Sequence, residues 1–359
     1  MRCSHYRFGW LLTLLWISWA SVVRPASGQE LKTDTDKVTD NNEGQDEEAE
    51  DLPPNWKFGT LGGKQFWTDE LIHGDWRIQR NVLSGHFRLL DANNQRRAWG
   101  SWEGCHEQWE KLRKEEHVPP LMPKVVILVH GLGRSRSSLS GLAEYLNKHS
   151  TMEVLNFGYA STRVPLKEDA KSLALVVSRL EGVQEISFVA HSMGNLVVRH
   201  FLHDQWMAAR GLGNDPRIQR FVMLAPPNNG AALAGRFQYD PTFRILFGTG
   251  GQQFTSQWDE LQKHLSIPPF PFGIIAGGAE DSSERNPMLE GNDDLVVTVE
   301  ETRLPGAADF VVLPVLHSFI MNDQRVQEYT LRFLEKGYFV SEAARQPIPA
   351  ETTKPDHLP

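Results

Sequence analysis

Ser192 stands in Ala190-His191-Ser192-Met193-Gly194, between a strand-like run, Ile186 to Val189, and a helix-like run from Asn195 to Leu202. A serine at a sharp strand-to-helix turn is pushed out of the backbone, where its hydroxyl can attack a carbonyl. Gly194 gives room where the helix passes close to that turn. A serine before a helix also suits an N-cap, so its partners decide between the two roles. Acyl chemistry on serine needs a base, an acid that orients the base, and backbone donors for the developing oxyanion. His317, in Pro314-Val315-Leu316-His317-Ser318-Phe319, is the expected base. It follows the last expected strand, and catalytic groups in open sheets collect beyond the carboxyl ends of strands. The acid is sought in Gly291-Asn292-Asp293-Asp294-Leu295, where local sequence leaves both carboxylates open. One would orient His317 and the other would cap the turn. Asp309 stands third and reads as a surface residue.

Two further histidines are expected to support the site. His191 should brace the turn at Ser192 without acting as base. His130 should pack or hydrogen-bond behind the loop His130-Gly131-Leu132-Gly133-Arg134. The chain carries no H-E-x-x-H, no clustered Cys/His spacing and no calcium-loop pattern, so no metal and no other cofactor is expected. The glycine loop at 131–133 lacks the Gly-x-x-x-x-Gly-Lys-Ser/Thr pattern of a phosphate cradle.

These residues need a scaffold that brings distant loops together. Val125 to Val129 is a continuous apolar run, as in a parallel strand covered on both faces. Further strands are expected at Met152 to Phe157, Ile186 to Val189, Gln219 to Leu224, Phe272 to Gly277 and Phe310 to Val315. Helices are expected at Ser138 to Leu146, Leu166 to Leu180, Met193 to about Met207 and Asp323 to about Leu334. Alternating strands and helices argue a mostly parallel sheet with helices on both faces. Before this core (121–340), residues 55–120 read as an accessory region. Asp75 to Asn81 and Gly85 to Asp91 are expected to pair as strands at the edge of the main sheet. Trp99, Trp102 and Trp109 read as packing groups.

The ends are different in kind. Arg2 and Arg7 precede an apolar run, Trp10 to Ala20, and small residues at Ala26-Ser27-Gly28, the pattern of an export signal over 1–28 cleaved after Gly28. Residues 29–54 carry ten acidic and two basic residues. Such a segment cannot bury enough apolar surface to order itself, and it reads as a disordered linker. It accounts for the formal net charge of -8, which leaves the remainder near balance. No nucleic-acid partner is therefore expected. After cleavage only Cys105 would remain, so stability rests on a large core with no internal disulfide. The tail, 341–359, is expected to be flexible.

Together these pieces resemble the alpha/beta-hydrolase family, and within it the secreted serine lipases and esterases. The resemblance rests on His130-Gly131-Leu132-Gly133, the Ser192 turn, the Asp294 loop and His317, in the family's order Ser, Asp, His. It covers roughly 121–335. It implies an α/β fold with a mostly parallel central sheet flanked by helices. It also implies hydrolysis of carboxylic esters through an acyl-enzyme. Matching Val297-Thr298-Val299-Glu300 to the family's Val/Thr-rich segment puts the acid on Asp294. Leu295 stands where the family often has glycine, which keeps Asp293 open. Ala190 replaces the usual first glycine, as in some lipases. The same resemblance puts the oxyanion donors on the N–H groups of Leu132 and Met193.

The substrate is less defined. Residues 226–272 lie where many hydrolases build a cap, and their composition favours esters of short or medium acyl chain. Lipid and cell-envelope esters share the same chemistry, as does acyl transfer to another alcohol. Tyr159 is expected near the pocket, and Arg163 either binds an acidic group or forms a surface salt bridge. After signal cleavage no stable membrane insertion is expected, and the sequence does not report the oligomeric state. A non-catalytic binding protein has no need of Ser192, His317 and an acid together.

Overall fold

The computed structural model describes residues 63–209, 211, 215–230, 257–279, 286 and 289–350. The expected export signal, the acidic linker, the centre of the 226–272 insertion and the last nine residues lie outside them.

The apolar run at 125–129 forms the central strand β5 (Lys124–Val129). Its side chains alternate between two cores. Val125, Ile127 and Val129 face one, and Val126 and Leu128 face the other. This is why the run is apolar at every position. β6 (Glu153–Phe157), β7 (Glu185–His191), β8 (Ile218–Leu224), β9 (Phe272–Gly277) and β10 (Asp309–Leu313) complete a six-stranded sheet in the order β10-β9-β8-β7-β5-β6. Every pairing is parallel. The chain leaves β5 for β6 on one side and then returns to β7 on the other. The crevice beyond the ends of β5 and β7 is therefore the switch point where such sheets bind ligands. Ser192 follows β7, and the 130–134 loop follows β5.

Four long helices cover this sheet: α2 (Ser140–His149), α3 (Leu166–Ser178), α4 (Met193–Ala208) and α5 (Gln324–Lys336). α3 starts after Pro165 with Glu168 in its first turn, where negative charge suits the helix dipole. α5 is capped by the Asp323 carboxylate, which accepts from the N–H groups of Arg325 and Val326. It ends at Gly337 in the left-handed conformation, φ 82°. The fold is the alpha/beta-hydrolase fold with an N-terminal accessory sheet. Among the described residues no helix is long and apolar enough to cross a membrane.

The accessory region differs from the sequence reading. It is a separate four-stranded antiparallel sheet, β1 (Trp67–His73), β2 (Trp76–Asn81), β3 (Phe87–Leu90) and β4 (Arg96–Gly100), and does not extend the main sheet. One face carries Leu71, Ile78 and Leu89 and is covered by Cys105, Trp109 and Leu112 of the helix α1 (Trp102–Glu115). β1 meets the end of β6 through side chains and single backbone bonds. The Asp69 N–H donates to Gly158 O at 2.8 Å, and the Gly158 N–H returns to the Asp69 carboxylate at 2.7 Å. That buried carboxylate also accepts from Arg77 and Gln79.

The tail is also held further than expected. The Gln346 N–H donates to Asp309, and Ile348 exchanges backbone hydrogen bonds with Gly306 and Ala307.

Candidate active site

Ser192 sits at the junction of β7 and α4 with φ 53° and ψ −127°, a backbone conformation costly for any residue but glycine. Three contacts fix it. Its N–H donates to Leu224 O at 2.9 Å, and its carbonyl accepts from the Asn195 N–H and from Asn195 Nδ2. The Ser192 side chain makes no capping bond to the helix, so the hydroxyl is left for another partner. A Cβ on Gly194 would lie 2.5 Å from Val129 O and 2.6 Å from His130 O, so only glycine lets α4 pass here. Gly131 is less tight, since a Cβ there would be 3.0 Å from Ser192 Cβ.

His317 opens a short 3₁₀ helix after β10. Ser192 Oγ lies 2.9 Å from its Nε2, and Asp294 Oδ2 lies 2.7 Å from its Nδ1. A carboxylate only accepts, so Nδ1 carries the proton and Nε2 is left to accept from the hydroxyl. Asp294 is buried, and its second oxygen accepts from the N–H groups of Val296 and Val297. The open choice between the two acids is thereby resolved geometrically. Asp293 Oδ1 turns away to accept from the N–H groups of Asn286 and Leu295. Asp309 is not a surface residue. It is buried, and its carboxylate accepts from the N–H groups of Phe310, Phe339 and Gln346. Gly277 lets the acid loop approach, because a Cβ there would lie 2.5 Å from Val315 O and 2.7 Å from Asp294 Cβ.

The two supporting histidines have separate tasks. His191 Nε2 lies 3.0 Å from His317 O. A carbonyl only accepts, so Nε2 carries the proton and Nδ1 faces Gly131. Burial and the neighbouring His317 hold this imidazole well below its ordinary range, so it stays neutral as a strut. His130 donates from Nδ1 to Gly131 O at 2.9 Å, and burial lowers its pKa to about 4. Tyr159 does not border a pocket. It is fully buried, stacks on His130 at 4.2 Å between centroids, and donates its hydroxyl to His130 O. Arg163 joins no salt bridge among the described residues, and its guanidinium lies 4.9 Å from the Phe66 ring centroid.

Leu132 and Met193 follow the adjacent parallel strands β5 and β7, and their N–H groups have no partner among the described residues. Met193 is the first residue of α4, where helix N–H groups are unpaired and the dipole is positive. Together, Ser192, His317 and Asp294 form the hydrogen-bonded relay of a serine hydrolase.

Two residues at the site carried no sequence signal beyond their type. Asn195 clamps the turn, as described. Arg199, one face of α4 further on, is buried and donates to Leu265 O, Ser266 O and Asn228 Oδ1. It thereby ties both described ends of the 226–272 insertion to the helix that carries Ser192. Burial lowers its pKa to about 10.

A family model described as "Putative serine esterase (DUF676)" matches residues 122–246, about a third of the chain. No curated protein matches the sequence. Among solved structures, phospholipase PlaB from Legionella pneumophila is 18% identical, with a TM-score of 0.40 over 50% of this chain and 45% of that one. The chain thus spans less than half the length of that phospholipase. Lipase BlEst2 from Bacillus licheniformis, in mature form, is 17% identical, with a TM-score of 0.47 over 61% of this chain and 94% of that one. A putative aryl esterase from Burkholderia cenocepacia is 13% identical, with a TM-score of 0.38 over 61% and 93% of the two chains.

Proposed function

We propose that the chain hydrolyses carboxylic esters in two steps through an acyl-enzyme on Ser192. The observation that carries this reading is His317 bridging Ser192 Oγ and Asp294 Oδ2 at 2.9 and 2.7 Å. His317 Nε2 takes the hydroxyl proton as Oγ attacks the ester carbonyl. Asp294 holds the ring in the tautomer that permits this and stabilises the imidazolium. The N–H groups of Leu132 and Met193 receive the oxyanion. The imidazolium then protonates the departing alkoxide, and the alcohol leaves. In the second step His317 deprotonates a water that attacks the acyl-enzyme, and Ser192 is released as the free hydroxyl.

The substrate in this reading is a small ester with an apolar acyl part of short or medium length. Leu316 and Phe319 support it, since they flank His317 and are 43% and 53% exposed. The basic and apolar opening of the sequence supports export, so the ester would be met outside the cytoplasm. The test is turnover of p-nitrophenyl esters from acetate to palmitate by the protein and by Ser192→Ala. Serine-dependent turnover with an optimum at short or medium chains is the expected result. An optimum at palmitate would make long-chain lipid esters the substrate. Turnover that persists in Ser192→Ala would overturn the mechanism.

A further inference from the structure

The loop that carries Leu132 is gripped from outside the hydrolase core. Residues 131–134 form a tight turn, closed by the Arg134 N–H donating to Gly131 O at 3.2 Å, with Gly133 at φ 67°. The Gly133 N–H donates to Ser161 Oγ at 3.1 Å, and the Ser161 hydroxyl passes its own proton to Gln65 Oε1 at 3.2 Å. Thr162 Oγ1 donates to the same oxygen at 3.1 Å. Gln65 Nε2 then donates to Arg134 O at 2.5 Å. The circuit closes: Gly133 to Ser161, Ser161 to Gln65, and Gln65 back to the turn. Both ends of one amide are used, and both hold the turn. Hydrogen bonds arranged head to tail in this way reinforce one another.

Gln65 lies in the 3₁₀ turn Gly63–Phe66 that leads into β1, outside the span matched by the family model. β1 secures it, because Thr68 Oγ1 accepts from the Ala160 N–H and Asp69 exchanges bonds with Gly158. The accessory sheet thus grips the 158–162 loop, and Gln65 extends that grip to the 131–134 turn. The Leu132 N–H in this turn has no partner among the described residues. Its direction depends on the orientation of the Gly131–Leu132 peptide, whose Gly131 O accepts from the Arg134 N–H and from His130 Nδ1, and the circuit braces the same turn at Gly133 and Arg134. Ground-state substrate needs this direction less than the oxyanion does, because charge on the oxygen grows only towards the transition state.

We propose that Gln65 is a positioning residue for the reaction: it holds the 131–134 turn so that the Leu132 N–H points at the oxyanion beside Ser192. The proposal rests on the ester-hydrolase reading above. Its test compares the full chain with Gln65→Ala and Gln65→Glu in three measurements: steady-state kinetics on a p-nitrophenyl ester, inhibition by an aryl boronic acid, and melting temperature. The boronic acid adds to Ser192 Oγ through boron and becomes a tetrahedral anion, so it reports on oxyanion stabilisation. Gln65→Ala should lower kcat by about tenfold to a hundredfold with little change in KM, as misplacement of a catalytic donor does. Boronate affinity should fall by the same factor as kcat/KM. Gln65→Glu keeps the size and the acceptor but loses the donor to Arg134 O, and it serves if Gln65→Ala does not fold. Its kcat relative to wild type should recover as acid protonates the new carboxyl and restores a donor, which a purely structural role would not produce. Unchanged kcat with a lower melting temperature, or a rise in KM alone, would overturn the proposal. If the wild-type chain shows no Ser192-dependent turnover, the ester-hydrolase reading fails and takes the proposal with it. Wild-type turnover that survives both Gln65 variants overturns the proposal alone.

Discussion

Asp294 holds His317 by two hydrogen bonds at once: its carbonyl accepts the His317 backbone N–H at 3.0 Å, and its carboxylate accepts Nδ1–H at 2.7 Å. The base is thus fixed in place by the main chain and in tautomer by the side chain. Asp294→Asn preserves the first bond but allows the ring to present the wrong nitrogen, and kcat should fall by about 10⁴-fold. Asp293→Asn keeps an acceptor for the Leu295 N–H and should retain most of the wild-type kcat. Kinetics of the two variants side by side check the assignment. Equal losses would remove Asp294 from its role.

Leu295, directly after the acid, lies at φ 79°, in the left-handed region. An L-residue there costs about 1–2 kcal/mol, whereas glycine's extra unfolded-state entropy costs about 0.5–1 kcal/mol. The Leu295 side chain is only half-buried, so little packing is lost with it. Leu295→Gly should therefore raise the melting temperature slightly and leave kcat unchanged. Leu295→Val, β-branched in the same conformation, should lower it. Thermal unfolding of both variants reads the sign directly.

How far the sequence carries depends on whether a residue's role shows in a local pattern. Val125 to Val129 is apolar at every position because two cores claim alternate side chains, so the central strand was legible. The Ser192 turn and His317 were legible because their chemistry needs specific residue types at the ends of strands. Between Asp293 and Asp294 the sequence offered two equal carboxylates, and only the fold of the loop shows which faces His317. The accessory region was half legible. The sequence at 76–81 and 87–90 alternates in part, but β1 is buried along its whole length, polar residues included, and does not alternate. The apolar stripe of α1 is reduced to Cys105, Trp109 and Leu112 in an otherwise polar helix. Gln65, Asn195 and Arg199 were not legible, since each acts by bonding backbone far away in sequence and no local spacing marks that.

His200 sets an expectation on the acid side. It lies on α4 with its Nδ1 3.2 Å from Asp204, outside hydrogen-bonding alignment, and its ring stacks on His264 and stands near His203. Glu260, itself paired with Lys263, faces His264 from the adjoining short helix. Burial holds the His200 imidazole below its ordinary range, with His264 and His203 adding to the effect and Asp204 opposing it. The unfolded chain then binds a proton near pH 6.5 that the folded chain refuses. Stability from this group is present above that pH and is lost as pH falls through the folded pKa. His200→Gln should flatten the decline below about pH 6.5. Urea midpoints of the two proteins across this range check it, and parallel curves would count against it.

Asp169 should act with the opposite slope. It is buried on α3 with neither carboxylate oxygen hydrogen-bonded. Burial, reinforced by Glu168 and opposed by Arg80, holds its pKa well above the ordinary carboxylate range. The folded chain keeps the proton while the unfolded chain releases it near pH 3.9. Stability from this group is therefore full below that pH and falls as pH rises, by about 1.4 kcal/mol per pH unit until the folded pKa is reached. Asp169→Asn removes the titration and keeps the shape. Its stability relative to wild type should accordingly increase with pH from about 4 upward. Urea unfolding of both proteins at several pH values measures this difference. A constant offset would mean that Asp169 does not retain its proton on folding.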